Sequence, residues 1–312
     1  MKLVSFRQDG SESYGVLNER GVVDVPKMLT GPQPPETLLA MLERPDAVSR
    51  LGDIAQQASE VIPLSDVELL APITRPGKLL ALAGNYVKHI VEAGKKLGLS
   101  ESPRKTTVPR PFLMPPNVLT ATNTTIPLPC YSETVDYEIE LTVVMGRTAK
   151  CVSPEEALEY VAGYTIGNDI SARTVTFKED RSERPWDEFF DWLNGKWSDA
   201  FFPMGPCLVT ADEIGDPQKL DLELKVNGEV RQKANTKDMI FTVADTVSFL
   251  SHIMTLEPGD CIATGTPEGV GMASGVFLQP GDEIECSIEK IGTLTNLVGQ
   301  RPDHKFKPCQ QL

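Results

Sequence analysis

What this sequence lacks narrows its function before anything it contains. No two of its six cysteines (Cys130, Cys151, Cys207, Cys261, Cys286 and Cys309) stand close enough for a C-x-x-C pair. That argues against a zinc ribbon or a thioredoxin-type motif. In a chain of 312 residues they are expected to be scattered buried thiols of a reducing compartment. No apolar run reaches the roughly 18 residues a membrane span needs, so no membrane partner is expected. The opening Met1-Lys2-Leu3-Val4-Ser5-Phe6 has no long apolar core and does not read as a signal peptide, so the cytoplasm is the expected location. Basic clusters are short, the densest being Lys95-Lys96 and Arg104-Lys105, against a net charge of −14. A nucleic-acid partner needs a basic surface and is not expected. Histidine is confined to His89, His252 and His304, so imidazole chemistry has few candidates.

What is present is mostly strand-like. Leu3–Phe6, Tyr14–Leu17 and Val22–Val25, separated by polar turns, predict a small β-meander. Helical stretches follow over residues 35–42 and 48–60. Pro72 and Arg75-Pro76-Gly77 punctuate the chain, and a domain boundary is placed near residue 72. The expected division is a small α/β domain over 1–72, a catalytic domain over 73–300 and a tail over 301–312. Within the second part, 78–83, 134–144 and 164–166 read as strands. Residues 86–98 and 154–160 read as helices, the latter behind a Ser153 cap, and 101–118 as a loop. Asn227-Gly228 between 220–226 and 229–232 predicts a hairpin. Residues 243–254 predict an amphipathic helix. Pro258-Gly259-Asp260 and Pro280-Gly281-Asp282 each lead into a strand. Many strands with few helices predict a mainly β, mixed-sheet fold with α elements.

Three features carry chemistry. Residues 135–143 alternate: Val135, Tyr137, Ile139, Leu141 and Val143 on one face, Asp136, Glu138 and Glu140 on the other. Same-face neighbours lie about 7 Å apart, so long carboxylates can converge. Three like charges repel unless a cation neutralises them, and an all-oxygen site suits Mg²⁺ or Mn²⁺, with Ca²⁺ compatible, rather than zinc. An exposed strand with an acidic polar face gives the same pattern. Asp169 adds a further acid after a strand and a glycine. Next, His89 and Glu92 share a helix face at i, i+3; the carboxylate is expected to raise the imidazole pKa and orient it as a general base. A surface His–Glu pair reads identically. Last, Thr264-Gly265-Thr266-Pro267-Glu268-Gly269-Val270-Gly271 offers amides and a hydroxyl to an anionic group, although a plain hairpin loop reads the same. It is no phosphate loop, because no Gly-Lys-Ser/Thr follows. Lys196 and Arg173, taken singly, read as surface charges. His252 reads as structural, and His304 falls in the tail.

Together these segments resemble the fumarylacetoacetate hydrolase family over roughly residues 76–299. The resemblance lies in Gly84-Asn85-Tyr86-x-x-His89, Asp136-Tyr137-Glu138-Ile139-Glu140-Leu141, the run from Gly163 to Arg173, Pro203-Met204-Gly205-Pro206, Val226-Asn227-Gly228-Glu229, and Pro258-Gly259-Asp260 leading to Gly265–Gly271. It implies a mixed β-roll catalytic domain behind a small N-terminal domain, usually as a homodimer. It implies Mg²⁺ or Mn²⁺ on Glu138, Glu140 and Asp169, with Asp136 a ligand only in some members. It implies that His89 and Glu92 activate water on a segment that closes as a lid, that Lys196 sits near the metal, and that Thr266 binds a substrate carboxylate. Arg173, Gly265 and Tyr86 are the further substrate-binding candidates. The sequence departs from the family pattern at Arg173-Thr174, at Phe112-Leu113-Met114-Pro115, and in the acidic, aromatic segment 178–194. The implied activity is metal-dependent hydrolysis of a carbon–carbon bond in a small 2,4-dioxo acid. The alternatives are decarboxylation of an oxaloacetate-like acid, isomerisation of a hydroxydienedioate, and non-catalytic binding of a keto acid.

Overall fold

The computed structural model describes all residues except 30–33, 94–102, 176, 178–180 and 304–312. Lys95-Lys96, the end of the expected helix over 86–98, the second half of the expected lid, His304 and Cys309 therefore lie outside the described residues.

The architecture is sheet-dominated and mixed, as the alternating segments predict. The N-terminal meander forms from Lys2–Gln8, Ser11–Asn18 and Gly21–Asp24, all antiparallel. Strand Lys2–Gln8 also pairs with Phe202–Thr210, in the register Leu3↔Leu208. The N-terminal strands thereby extend an eleven-stranded sheet. That sheet continues through Val161–Asn168, Ile139–Met145, Cys261–Ala263, Leu79–Leu82 and the edge strand Pro111–Leu113. Cys261–Ala263 runs parallel to Leu79–Leu82, while its other neighbour is antiparallel. A five-stranded sheet, with Asp221–Val226, Glu229–Asn235, Glu283–Ile288 and Gly292–Val298 as its longer strands, packs against the large one. With both faces covered, all seven residues of Ile139–Met145 are buried. The Asn227-Gly228 hairpin forms as its sequence demands, both residues taking positive φ, 52° and 77°. Helix Val243–Ile253 starts in a reciprocal capping box between Thr242 and Asp245. No helix among the described residues is long and apolar enough to cross a membrane.

Three local expectations need correction. The stretch 154–160 is not an α-helix; only Ala157–Tyr160 is helical, and it is 3-10. Its acids Glu155 and Glu156 do not propagate a helix, because Val161 already enters the sheet. The 101–118 segment holds a short helix, Pro103–Thr106, and the edge strand Pro111–Leu113 rather than loop alone. Cysteines Cys207, Cys261 and Cys286 are buried, but Cys151 is exposed and Cys130 only half-buried.

A fourth correction positions the site. The expected strand over 134–144 is broken after Asp136. Val135–Asp136 pairs with Ser171–Ala172, and the chain re-enters the large sheet only at Ile139. Across the break, three successive amides leave the ladder for side chains. Tyr137 N donates to Asp136 Oδ1 at 2.8 Å, Glu138 N to Asn168 Oδ1 at 2.9 Å, and Ile139 N to Gln232 Oε1 at 3.0 Å. Buried amides must find partners somewhere, and here polar side chains supply them.

Candidate metal centre

The register of two strands brings the acids together. Ile139 pairs with Asn168, so Glu138 and Asp169 flank that pair at the sheet end, and Asp169 N donates to the Glu138 carbonyl at 2.9 Å. Glu140 lies one turn of the pleat further in. One carboxylate oxygen from each of Glu138, Glu140 and Asp169 lies within 4.8 Å of the others, and all three residues are buried. Oxygens on opposite sides of a Mg²⁺ ion stand about 4 Å apart, so this triad needs only small adjustments to hold one. The donor set is all oxygen, which fits a hard divalent cation. Asp169 Oδ1 is buried and has no hydrogen-bond partner among the described residues, which marks it as a lone pair directed at something the chain itself does not supply.

Two cations offset part of the charge. Lys196, 2% exposed, donates to Glu138 Oε2 at 3.0 Å, Asp169 Oδ2 at 2.6 Å and Ser171 Oγ at 2.8 Å. Its ammonium also lies 5.5 Å from the Phe112 ring centroid and 5.4 Å from that of Trp192. Arg173 bridges Asp136 Oδ2 at 2.8 Å and Glu138 Oε1 at 2.5 Å. Burial opposes the charge of Glu138, but Lys196, Arg173 and His89 outweigh it and hold the carboxyl down to about 2. Asp169 fares differently: burial, with Glu138 adding to it and Lys196 opposing, pushes it up to about 7. Burial, then Asp169 and Glu138, drive Glu140 well above the usual carboxylate range against the pull of the Gly265 amide. The chain thus compensates the charge of Glu138 and under-compensates the anionic forms of the other two, which a divalent cation would favour.

Asp136 is not part of the triad. The break in the strand turns its carboxylate away, and four donors occupy it: Tyr137 N, Gly271 N at 2.6 Å, Met272 N at 2.9 Å and Arg173 Nε. It ties the 265–272 loop to the metal strand. Gly265, read from sequence as a substrate contact, gives its amide to Glu140 Oε2 at 2.7 Å. Its φ is +91°, and an added Cβ would lie 2.8 Å from Asn85 Cβ, so the position requires glycine. Tyr86 is 1% exposed, and its hydroxyl is buried without a hydrogen-bond partner among the described residues, near Glu140 but outside the cavity wall.

A cavity of about 310 Å³ opens beside the triad. Glu138, Asp169, Lys196, Arg173, His89 and Thr266 line it, with apolar walls that include Phe112, Trp192, Ile240 and Val270. His89 sits in helix Val87–Ala93. Burial lowers its pKa, with Glu138 and Glu92 opposing and Arg173 and Lys196 assisting, so the sequence-based expectation of a raised value is overturned. Burial is the largest effect, and Glu92 does not offset it: its Oε2 is 4.0 Å from Nδ1, and both its oxygens accept from Gly269 N. A neutral imidazole is what a general base requires. His252 is structural, its Nδ1 lying 2.8 Å from the Ser248 carbonyl.

Residues that the sequence reading missed are the buried amides. Asn85 bonds the backbone of Phe241 and Thr264, Asn168 orients the Glu138 backbone, and Gln232 joins Ile139 to Thr266. The one available signal was alternation near the hairpin, which puts Gln232 on one face with Ala234; Val230, 45% exposed, falls outside it because the register shifts between the two.

A sequence profile described as fumarylacetoacetate (FAA) hydrolase C-terminal matches residues 78–299, and one described as Rv2993c-like, N-terminal, matches residues 1–72. The chain is similar to the mitochondrial oxaloacetate tautomerase Fahd2a of Rattus norvegicus, 36% identical over 305 residues, covering 96% of this chain and 91% of the relative. It is 37% identical over 305 residues to the 2,4-didehydro-3-deoxy-L-rhamnonate hydrolase of Sphingomonas sp. (strain SKA58), covering 96% of each. Among solved structures, maleylpyruvate hydrolase from Sphingobium sp. SYK-6 in complex with manganese(II) ion and pyruvate superposes with a TM-score of 0.75 at 28% identity. That match covers 97% of this chain and all of the other.

Proposed function

This chain belongs to the fumarylacetoacetate hydrolase family, and from that premise we propose that it is a divalent-metal-dependent enzyme hydrolysing a carbon–carbon bond in a small 2,4-dioxo acid. The observation that carries the reading is the placement of His89, a half-buried imidazole whose pKa burial lowers, in one cavity with Glu138, Asp169 and Lys196. Glu138, Glu140 and Asp169 would hold Mg²⁺ or Mn²⁺, which when bound supplies Lewis acidity toward the oxygens of a 2-oxo acid. Thr266 offers its hydroxyl to a substrate carboxylate. His89 takes a proton from water, and the hydroxide so formed adds to the acyl carbon. The carbon–carbon bond breaks, its electron pair leaves with the 2-oxo fragment, and a proton returns to that carbon. A closure of about 1 Å brings Glu92 within hydrogen-bonding distance of His89 and steadies the imidazolium. Lys196 offsets negative charge developing beside Glu138 and Asp169. The apolar walls, Phe112, Trp192, Ile240 and Val270 among them, limit the water that shares the cavity. The homodimer belongs to this reading, supported by the exposed Trp186, Phe189 and Phe190 at helix Asp187–Asn194.

A second reading is favoured by the near-full-length similarity to an oxaloacetate tautomerase. In it, His89 shuttles a proton between carbon and oxygen without water attack. One panel separates the two: acylpyruvates, fumarylpyruvate-type acids and oxaloacetate, each with Mg²⁺, with Mn²⁺ and with chelator. Cleavage products from the dioxo acids support hydrolysis. Enol-to-keto conversion of oxaloacetate with no cleavage of any dioxo acid supports tautomerisation. Turnover that survives chelation contradicts both.

A further inference from the structure

Resting on the reading above, we infer that Gln232 is a positioning residue that fixes Thr266 as a hydrogen-bond donor to the substrate's anionic oxygen. Gln232 is fully buried. It reaches from strand Glu229–Asn235 of the second sheet into the base of the site. Its Oε1 accepts from Ile139 N at 3.0 Å, and its Nε2 donates to Thr266 Oγ1 and to the Pro267 carbonyl, both at 2.9 Å. The direction of the amide is forced by its neighbours. Ile139 N–H can only donate, and the Pro267 carbonyl can only accept, so oxygen must face the first and nitrogen the second. Thr266 Oγ1 is therefore an acceptor toward Gln232. Its own proton has no protein acceptor among the described residues, and Thr266 lines the cavity. That proton is left to point at a ligand, and it suits an anion rather than a cation.

The backbone supports the same arrangement independently. The register between Asp221–Val226 and Glu229–Asn235 slips at Leu224/Lys225, leaving Arg231 unpaired beside Gln232. The loop seats directly on this bulge: a Cβ at Gly269 would lie 2.1 Å from the Arg231 carbonyl oxygen. Gln232 thus links the strand just after Glu138 to the loop that carries Thr266, with both its polar atoms committed.

Gln232→Glu tests this, because it keeps the shape and the acceptor while removing the donor. Thr266 must then turn its proton toward residue 232. For the Mn²⁺-loaded protein, pyruvate affinity by calorimetry and KM for the best substrate should both weaken about tenfold to a hundredfold, the span of a lost charge-assisted hydrogen bond. Mn²⁺ affinity should stay within a few-fold. Thr266→Val should cause a similar loss, and the double variant should be no worse than the more damaging single one. Thr266→Ser, which keeps the hydroxyl, should recover most of the pyruvate affinity that Thr266→Val loses. Additive losses in the double variant, or a fall in Mn²⁺ affinity matching the fall in pyruvate affinity, would assign Gln232 a merely structural role. Unchanged pyruvate affinity and KM in Gln232→Glu, with a wild type that binds pyruvate, overturns the inference alone. A wild type that binds and turns over no keto acid overturns both the inference and the reading beneath it.

Discussion

Replacing Lys196 with methionine removes the buried ammonium and keeps the apolar stem that lies among Phe112 and Trp192. Three hydrogen bonds of 2.6–3.0 Å disappear, and Glu138 and Asp169, both buried, lose their shared cation. Breaking a buried ion pair from one side costs about 3–5 kcal/mol, mostly because the remaining charge is stranded. For 312 residues the unfolding entropy is about 0.65 kcal/mol/K, so the metal-free melting temperature should fall by roughly 5–8 °C. A divalent cation supplies the missing positive charge at the same carboxylates. Saturating Mn²⁺ should therefore raise the melting temperature of Lys196→Met more than that of wild type. Scanning calorimetry with chelator and with Mn²⁺ gives both numbers. The catalytic loss is separate: kcat should drop by about a hundredfold or more even when metal is saturating, because charge developing in the transition state is no longer offset. An unchanged melting temperature in chelator would refute the electrostatic reasoning. Equal Mn²⁺ stabilisation of both proteins would refute the claim that lysine and metal share the same carboxylates.

Other consequences are as direct. Burial lowers the His89 pKa below 6.5, and the neutral imidazole is the active form. The acid limb of kcat/KM should therefore rise with pH through a midpoint under that value, and His89→Ala should abolish turnover while Mn²⁺ affinity stays near wild type. Asp136→Asn should cost about 1–3 kcal/mol of stability by loosening Arg173 and the loop, yet keep Mn²⁺ affinity within a few-fold. Glu140→Gln should instead weaken Mn²⁺ by about a hundredfold; titration calorimetry on the pair distinguishes anchor from ligand. Gly265→Ala should destabilise by more than about 1 kcal/mol, since an alanine cannot adopt this φ without strain and its Cβ meets Asn85. Denaturant unfolding reads that loss.

The acids were legible because strand alternation and a following glycine put them in plain view. The mixed-sheet fold was legible because the meander, the Asn227-Gly228 hairpin and the Pro-Gly-Asp turns each carry local signals. The division of labour among the acids was not. Asp136 and Glu138 share a face on any unbroken strand, and the break depends on Asn168 and Gln232, which come from distant strands. The direction of the His89 pKa was misread for a related reason: i, i+3 spacing promises a carboxylate neighbour but does not report the burial that lowers the pKa, and Gly269, far along the chain, claims that carboxylate. Gly265 and Tyr86 were assigned to substrate by their motifs, whereas packing gives the first to Glu140 and buries the second. Local pattern reports which groups a segment presents; it is silent on which remote amide will occupy them.

The most direct test of the whole account is anomalous diffraction from crystals grown with Mn²⁺. One strong peak is expected within coordination distance of Glu138, Glu140 and Asp169, with Asp136 remaining on Arg173. A peak elsewhere, or none at saturating Mn²⁺, would contradict it.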